Sequence, residues 1–559
     1  MPSTNRAATS RVFNLADLFE IVADACPDRL ALVAGDVRLT YEELDRRANR
    51  VAHHLLAHGV GQGDHVGIYA WNRAEWVEAM LGAYKARAVP INVNYRYVED
   101  ELRYIFDNAD LAALVFERSF TPKVKAVLPD VPRLRHLIVV HDHVDDHDID
   151  GESGDDATIG AVPYEVALAS ASPERDFDPR SPDDLYILYT GGTTGMPKGV
   201  VWRSEDIFFG AMGGGNFAGA PVERPEDLAR GAANEPVVAC VTAPLMHGGG
   251  QWVTFITFST AGTVVLYTGR RYDAAEIWRI AARERANSLM VVGDAMARPL
   301  AEALVARDDS LDLSGLAAIG SGGAILSKAV KEQLRSALPG VMVIDSFGAS
   351  ETGANGSVMD LGAPAAGPRF TMGEHTTVLG DSLRPVTPGS GEVGRLAKRG
   401  HIPLGYYKDE GKTAATFLHD ADGVRWVVPG DFATVEADGT ITLLGRGSVS
   451  VNTGGEKVFP EEVEAALKAH PDVFDAVVVG VPDERFVERV VALVTPRPGT
   501  KPTIESLRDH CRTSIASYKA PRQVHLVDEI VRTPAGKPDY RWARARAAEA
   551  GDYPSVKGP

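Results

Sequence analysis

Three cysteines in 559 residues leave no basis for a disulfide framework, and Cys26, Cys240 and Cys511 stand too far apart for a CxxC pair or a zinc-type spacing. A reducing, cytoplasmic setting is the expectation. Positive charge is also short. With 58 Lys and Arg against 76 Asp and Glu the formal net charge is -18, which speaks against nucleic acid or an anionic membrane as principal partner. Anionic small molecules remain open wherever positive charge is local. No apolar run reads as a membrane span: the most apolar long stretch, Trp252 to Tyr267, is interrupted by Ser259, Thr260 and Gly262 and reads as buried core. Met1 to Arg11 lacks a hydrophobic signal core, and there is no internal repeat.

What is present is enough chain for two or more domains. Thr40 with Glu43 reads as a capping box, followed by Leu44, Ala48, Val51 and Leu55 at helical spacing and by Gly59 as a stop. His65 to Ala70 reads as a strand, and strand-like and helix-like segments keep alternating, which favours α/β layers. The run His141-Asp142-His143-Val144-Asp145-Asp146-His147-Asp148 has metal-ligating residue types, but no second ligand cluster follows it in sequence, and it reads as a solvated loop. After a strand-like Thr440 to Leu444 and the turn Gly445-Arg446-Gly447-Ser448, a helix from Pro460 to Leu467 and a strand from Ala476 to Val479 begin a new unit. Domains over 1–445 and 446–559 follow, the second a small α/β domain.

The most informative stretch is Leu188-Tyr189-Thr190-Gly191-Gly192-Thr193-Thr194-Gly195-Met196-Pro197-Lys198-Gly199-Val200. A buried strand, Leu185 to Tyr189, runs into glycines that let backbone amides face an anion. Thr190, Thr193 and Thr194 add hydroxyls and Lys198 adds charge, so the segment reads as a phosphate cradle. It is not a P-loop, because Gly195 is followed by Met196 and Pro197. A flexible Gly/Thr surface loop is the plain alternative.

This stretch resembles the signature loop of the adenylate-forming superfamily, which contains acyl-CoA synthetases, peptide-synthetase adenylation domains and beetle luciferases. Five further segments stand in that family's order. Ser321-Gly322-Gly323-Ala324 resembles the strand on which adenine stacks. Asp345-Ser346-Phe347-Gly348-Ala349-Ser350-Glu351-Thr352-Gly353 resembles the motif in which Phe347 borders adenine, Ser350 bonds the α-phosphate and Glu351 helps to hold Mg²⁺; many relatives have Thr at the Ser350 position. Asp431 in Pro429-Gly430-Asp431-Phe432 matches the aspartate that accepts both ribose hydroxyls. Arg446 matches an arginine on ribose, and Ser448 stands where the family usually has a hinge Asp or Lys. Lys537, in Arg532-Thr533-Pro534-Ala535-Gly536-Lys537, matches the lysine that bridges substrate carboxylate and α-phosphate, although Pro538-Asp539-Tyr540 departs from the usual continuation. Gly454 and Gly455, in Asn452-Thr453-Gly454-Gly455-Glu456-Lys457, match the loop that faces the site in the thioester step.

The resemblance implies a large, multi-subdomain N-terminal adenylate-forming domain with a small mobile C-terminal domain. It also implies an ATP-dependent ligase that uses Mg²⁺ and coenzyme A. Thr190, Glu351 and Lys537 are its expected catalytic residues. Along its length the chain is most similar to actinobacterial acyl-CoA synthetases that activate steroid side-chain acids, notably through Val200 to Ile207, Gly293 to Pro299 and Gly536 to Trp542. Pro244-Leu245-Met246-His247-Gly248-Gly249-Gly250 is expected to line the acyl side, with His247, Gly248 and Gly249 against the substrate and His247 as a gate. A medium- or long-chain fatty acyl-CoA synthetase, a luciferase-like enzyme and a non-catalytic adenylate-binding protein are the alternatives. Partners are small molecules only, no integral membrane segment is expected, and a homodimer is left open.

Overall fold

The computed structural model describes residues 11–141, 159–190, 196–216, 219–305, 311–324, 326–360, 369–446, 450–453, 457–483, 487–513, 515–532 and 538–549. The capping box forms as read. Thr40 accepts from the Glu43 amide at 3.2 Å and Glu43 accepts from the Thr40 amide at 2.8 Å, starting the helix Tyr41–Ala57. Such a cap is worth about 1 kcal/mol. Gly59, at φ 71°, turns the chain away after that helix.

The strand His65–Tyr69 lies in a five-stranded parallel sheet ordered Val89–Asn92, His65–Tyr69, Leu111–Glu117, His136–Val140, Val162–Pro163. Its central strand Leu111–Glu117 is buried throughout. Ala113 and Val115 enter one core while Leu111, Leu114 and Phe116 enter another, so both faces are covered and the sequence shows a continuous apolar run.

A second, larger sheet has a parallel heart: Leu30–Ala34, Thr263–Leu266, Val238–Val241, Ser288–Val291, Ala318–Gly322 and Met342–Ala349. It continues through antiparallel strands, among them Gly353–Asp360, Ile441–Arg446 and Asp431–Val435. The apolar stretch from Trp252 splits into the end of the helix Gly248–Ser259 and the buried strand Thr263–Leu266. Among the described residues no helix is long and apolar enough to cross a membrane.

Beyond residue 450 the chain builds its own cores. The strands Val473–Asp483 and Val487–Pro496 pair antiparallel, and Gln523–Leu526 joins in parallel. Ala476 and Val478 face Val463 and Leu467, the latter two on the helix Pro460–Lys468, while Val477 and Val479 face Ile530 and Ala543 on the other side. This smaller body touches the larger one where the Phe432 and Phe459 rings sit 5.6 Å apart and where the Arg298 guanidinium lies 4.9 Å from the centre of the Phe474 ring.

Two boundaries differ from the sequence reading. The strand expected over Val341 to Ile344 is Met342–Ala349, because pairing with Gly353–Asp360 extends it; Asp345, Ser346 and Phe347 are therefore strand residues. The strand before the domain turn likewise continues through Arg446, which pairs with Asp431.

Candidate active site

The signature loop is closed by a hairpin. Leu185–Thr190 and Lys198–Arg203 pair antiparallel with Thr190 opposite Lys198, so hydroxyl and ammonium stand at the two ends of the turn. Gly191, Gly192, Thr193 and Thr194 lie outside the described residues. Lys198 Nζ donates to Asp409 Oδ2 at 2.5 Å and lies 6.0 Å from the centre of the Tyr406 ring. That hydrogen bond is the main cause that holds the Asp409 carboxyl below the usual carboxylate range.

Tyr406 reaches this position because Gly405–Tyr406 pairs with Val200 and Val201 of the hairpin. Its hydroxyl donates to Glu351 Oε1 at 2.9 Å. One ring thus lies beside the loop lysine and holds the expected magnesium ligand. Glu351 itself sits in the short turn between Met342–Ala349 and Gly353–Asp360. Fully buried Trp202 donates from Nε1 to the Ser350 carbonyl at 3.0 Å and pins that turn to the hairpin. Gly353 has φ 65°, and a Cβ there would meet the Gly210 carbonyl oxygen at 2.3 Å. Beside it, buried Lys398 donates to Gly210 and Ala354 carbonyls at 2.8 and 2.6 Å, and burial pulls its ammonium down to about 8.

Gly322 pairs with Ser346, which sets the glycine shelf next to the strand that carries Phe347. A Cβ on Gly322 would meet nothing closer than 3.5 Å, so packing does not demand that glycine and the space suits a flat ring, whereas Gly323, at φ 85°, is required by its backbone. Ala324 follows them in a bend. Phe347 stacks at a tilt on Phe370 with centroids 4.6 Å apart. Asp431 pairs directly across from Arg446, so the two expected ribose residues start from neighbouring backbone positions. Asp345, expected at the nucleotide, is engaged by a neighbouring lysine. Its buried carboxylate receives Lys331 Nζ at 2.7 Å, a structural ion pair.

On the acyl side, His247 precedes the helix Gly248–Ser259 as its N-cap residue, without a side-chain capping bond. The three glycines divide in role. A Cβ on Gly248 would strike Leu188 at 2.7 Å, one on Gly250 the Pro244 carbonyl at 2.6 Å, and one on Gly249 nothing within 4 Å. The half-buried face of this helix bears Gly249, Trp252, Val253 and Ile256, spaced as one stripe.

Buried Asn92 fastens this segment to the phosphate side. Its amide donates to the Tyr189 carbonyl at 2.8 Å and the Met246 carbonyl at 2.7 Å, and accepts from the Tyr189 amide at 2.8 Å. Asn72 and Gln251 hold Leu245 from either side at 2.8 and 2.9 Å. Asn92, Trp202, Lys398, Tyr406 and Asp409 were not legible as site residues in the sequence. Lys537, Gly454, Gly455 and Ser448 lie outside the described residues, so their placement is not part of this geometry.

The AMP-binding enzyme family matches residues 19–407, and the AMP-binding enzyme C-terminal domain matches residues 462–537. The chain belongs to the AMP-binding enzyme family. It is 51% identical over 539 residues to a medium/long-chain-fatty-acid–CoA/3-oxocholest-4-en-26-oate–CoA ligase of Mycobacterium marinum, covering 95% of this chain and 96% of that one. A 3-oxocholest-4-en-26-oate–CoA ligase of Rhodococcus rhodochrous is 50% identical over 539 residues, covering 95% of each chain. Among solved structures, an anthranilate CoA ligase in complex with anthranoyl-AMP superposes with a TM-score of 0.82 over 96% of this chain and 98% of that one, at 24% identity. ATP-bound MatB of Rhodopseudomonas palustris superposes with a TM-score of 0.77 over 95% of this chain and 98% of that one, also at 24% identity. These likenesses establish the adenylate-forming fold, a large N-terminal α/β domain followed by a smaller C-terminal one.

Proposed function

We propose that this enzyme is an ATP-dependent acyl-CoA ligase acting on bulky apolar acids, foremost steroid acids with a side-chain carboxylate. Curated relatives at about half identity carry that activity in their names. The observation in the fold that carries the substrate reading is the open space beside Gly249, next to the apolar stripe Trp252, Val253 and Ile256. That space suits a rigid apolar body, and each buried methylene of such a body adds about 0.8 kcal/mol. Medium- and long-chain fatty acids are the second substrate class, favoured by the dual name of the Mycobacterium marinum relative.

The reaction has two halves. The acid's carboxylate oxygen attacks the α-phosphorus of ATP, and the bond to the pyrophosphate oxygen breaks, leaving acyl-adenylate and pyrophosphate. Coenzyme A thiolate then attacks the acyl carbonyl, AMP leaves, and the thioester remains. Thr190 and Lys198, with the loop between them, hold the outgoing phosphates. Ser350 bonds the α-phosphate, Asp431 and Arg446 orient ribose, and Gly322, Gly323 and Phe347 border adenine.

Magnesium prefers hard oxygen donors. The carboxylate of Glu351 fits, with Oε1 steadied by Tyr406 and the group only half-buried. When bound, the ion would neutralise charge on the phosphates. Lys537 supplies positive charge to the adenylation transition state. The expected boundary at 445 and 446 falls at the end of the strand Ile441–Arg446, and turning the C-terminal domain about Arg446 to Ser448 would withdraw Lys537 and bring Gly454 and Gly455 to the thioester step. Action in the cytoplasm is the accompanying expectation.

A panel of steroid acids, straight-chain acids and acetate, assayed for AMP and CoA thioester, tests the reading. Steroid acids should exceed acetate by orders of magnitude in kcat/KM. Inert steroid acids with active fatty acids would move the assignment to a fatty acyl-CoA synthetase. Lys537→Ala should cut adenylation roughly a hundredfold or more while sparing thioester formation from supplied acyl-adenylate. Equal loss in both halves would remove the role given to Lys537.

A further inference from the structure

Away from the elements that carry Thr190, Glu351 and Asp431, three histidines meet. His54 and His58 stand one turn apart at the end of the helix Tyr41–Ala57, and His136 opens the strand His136–Val140. One ring nitrogen from each lies within 4.8 Å of the other two. His54 Nε2 and His136 Nε2 are 2.9 Å apart, and the His58 ring stacks on His136 with centroids 4.1 Å apart. His54 and His136 are buried, whereas His58 faces solvent.

We infer that His54, His58 and His136 form a site for one divalent transition-metal ion of the zinc class, clipping the second helix to the N-terminal parallel sheet. A tetrahedral ion with Zn–N of about 2.05 Å spaces its nitrogens about 3.3 Å apart; His54 and His136 need only open slightly from 2.9 Å, while His58 has to rotate out of its stack on His136 to aim its free nitrogen at the same ion. His58 already holds the tautomer a ligand needs. Its Nδ1 donates to the His54 carbonyl at 2.7 Å, which leaves the lone pair on Nε2 and supplies the outer hydrogen bond typical of metal-bound histidines. The helix C-terminus presents its negative dipole end to a cation. Opposing it is Arg135, which acts on His136 and is itself paired with Asp64 at 3.9 Å. Three imidazoles without a carboxylate favour zinc, nickel, copper or cobalt over magnesium or calcium, and solvent access at His58 leaves a fourth position for water.

The test uses full-length protein without a histidine tag, stripped with chelator, dialysed, and titrated with Co²⁺ and then Zn²⁺. The expected result is one equivalent of cobalt with a tetrahedral visible spectrum, displaced by zinc, and a rise in melting temperature with zinc. Exposed His58→Ala should weaken binding at least tenfold and abolish the zinc-dependent rise, and His136→Gln should do the same, with circular dichroism confirming that both variants are folded. Absence of the tetrahedral spectrum, or metal binding unchanged in folded His58→Ala, would overturn the assignment.

Discussion

Gly353, in the turn that carries Glu351, and Gly249, at the start of the helix Gly248–Ser259, answer to different constraints. At Gly353 the backbone is left-handed and a Cβ would drive into the Gly210 carbonyl 2.3 Å away. At Gly249 the same atom would meet nothing within 4 Å. One glycine is required by the protein's own packing, and the other leaves room for something that is not protein. On the proposed assignment, the magnesium side is held by protein contacts and the acyl side is defined by volume. Substitutions should separate the two through stability and specificity.

The largest effect is expected at Gly353→Ala. Overpacking and a disfavoured φ together should cost about 2 kcal/mol or more, lower the melting temperature by several degrees, and weaken magnesium-dependent adenylation, because Glu351 shares the turn. Gly249→Leu should leave stability within about 0.5 kcal/mol while lowering kcat/KM for steroid acids roughly tenfold more than for short straight-chain acids. A melting-temperature loss at Gly249 equal to that at Gly353, with unchanged substrate preference, would erase the distinction.

A smaller effect is expected from Lys398, the buried amine that holds Gly210 and Ala354. Its folded-state pKa of about 8 lies below the usual lysine value of 10.5. Between these values the unfolded chain binds more protons, so this group makes stability rise with pH from about 8 towards 10.5. Denaturant melts should show wild type gaining on the order of 1 kcal/mol relative to Lys398→Met over that window. Parallel curves would refute the shift. The mildest change is Tyr406→Phe, which removes one hydrogen bond to Glu351. It should raise the magnesium concentration needed for half-maximal adenylation a few-fold, with little change in the KM for the acid.

Local rules made much of the fold legible. The Thr40–Glu43 box, the apolar run Leu185 to Tyr189 and the spacing before Gly59 depend on neighbours within a turn or a strand, and each formed as read. Pairing partners were not legible, which is why Asp345 to Phe347 joined a strand instead of following one. The same limit governs the site. Asn92 bonds residues 97 and 154 positions away, and Trp202 and Tyr406 bond residues 148 and 55 positions away, so no short motif marks them. The motif around Asp345 was legible, whereas its ion-pair partner Lys331, fourteen positions earlier, was not. The histidine-rich run after Val140 reads as a solvated loop, and its residues 142–148 lie outside the described residues; among the described residues a histidine cluster draws its members from positions 54, 58 and 136, which no short motif marks.

The pairing of Lys198 with Asp409 bears on how turnover ends. In the proposed reaction an incoming triphosphate would have to take the lysine from a carboxylate 2.5 Å away, and a departing pyrophosphate would give it back to the same carboxylate. A partly exposed pair of this kind is worth up to about 1 kcal/mol, a factor of about five in residence time. On that reading Asp409 would act as a resident understudy for the phosphate, slightly weakening the grip on nucleotide and easing the exit of product.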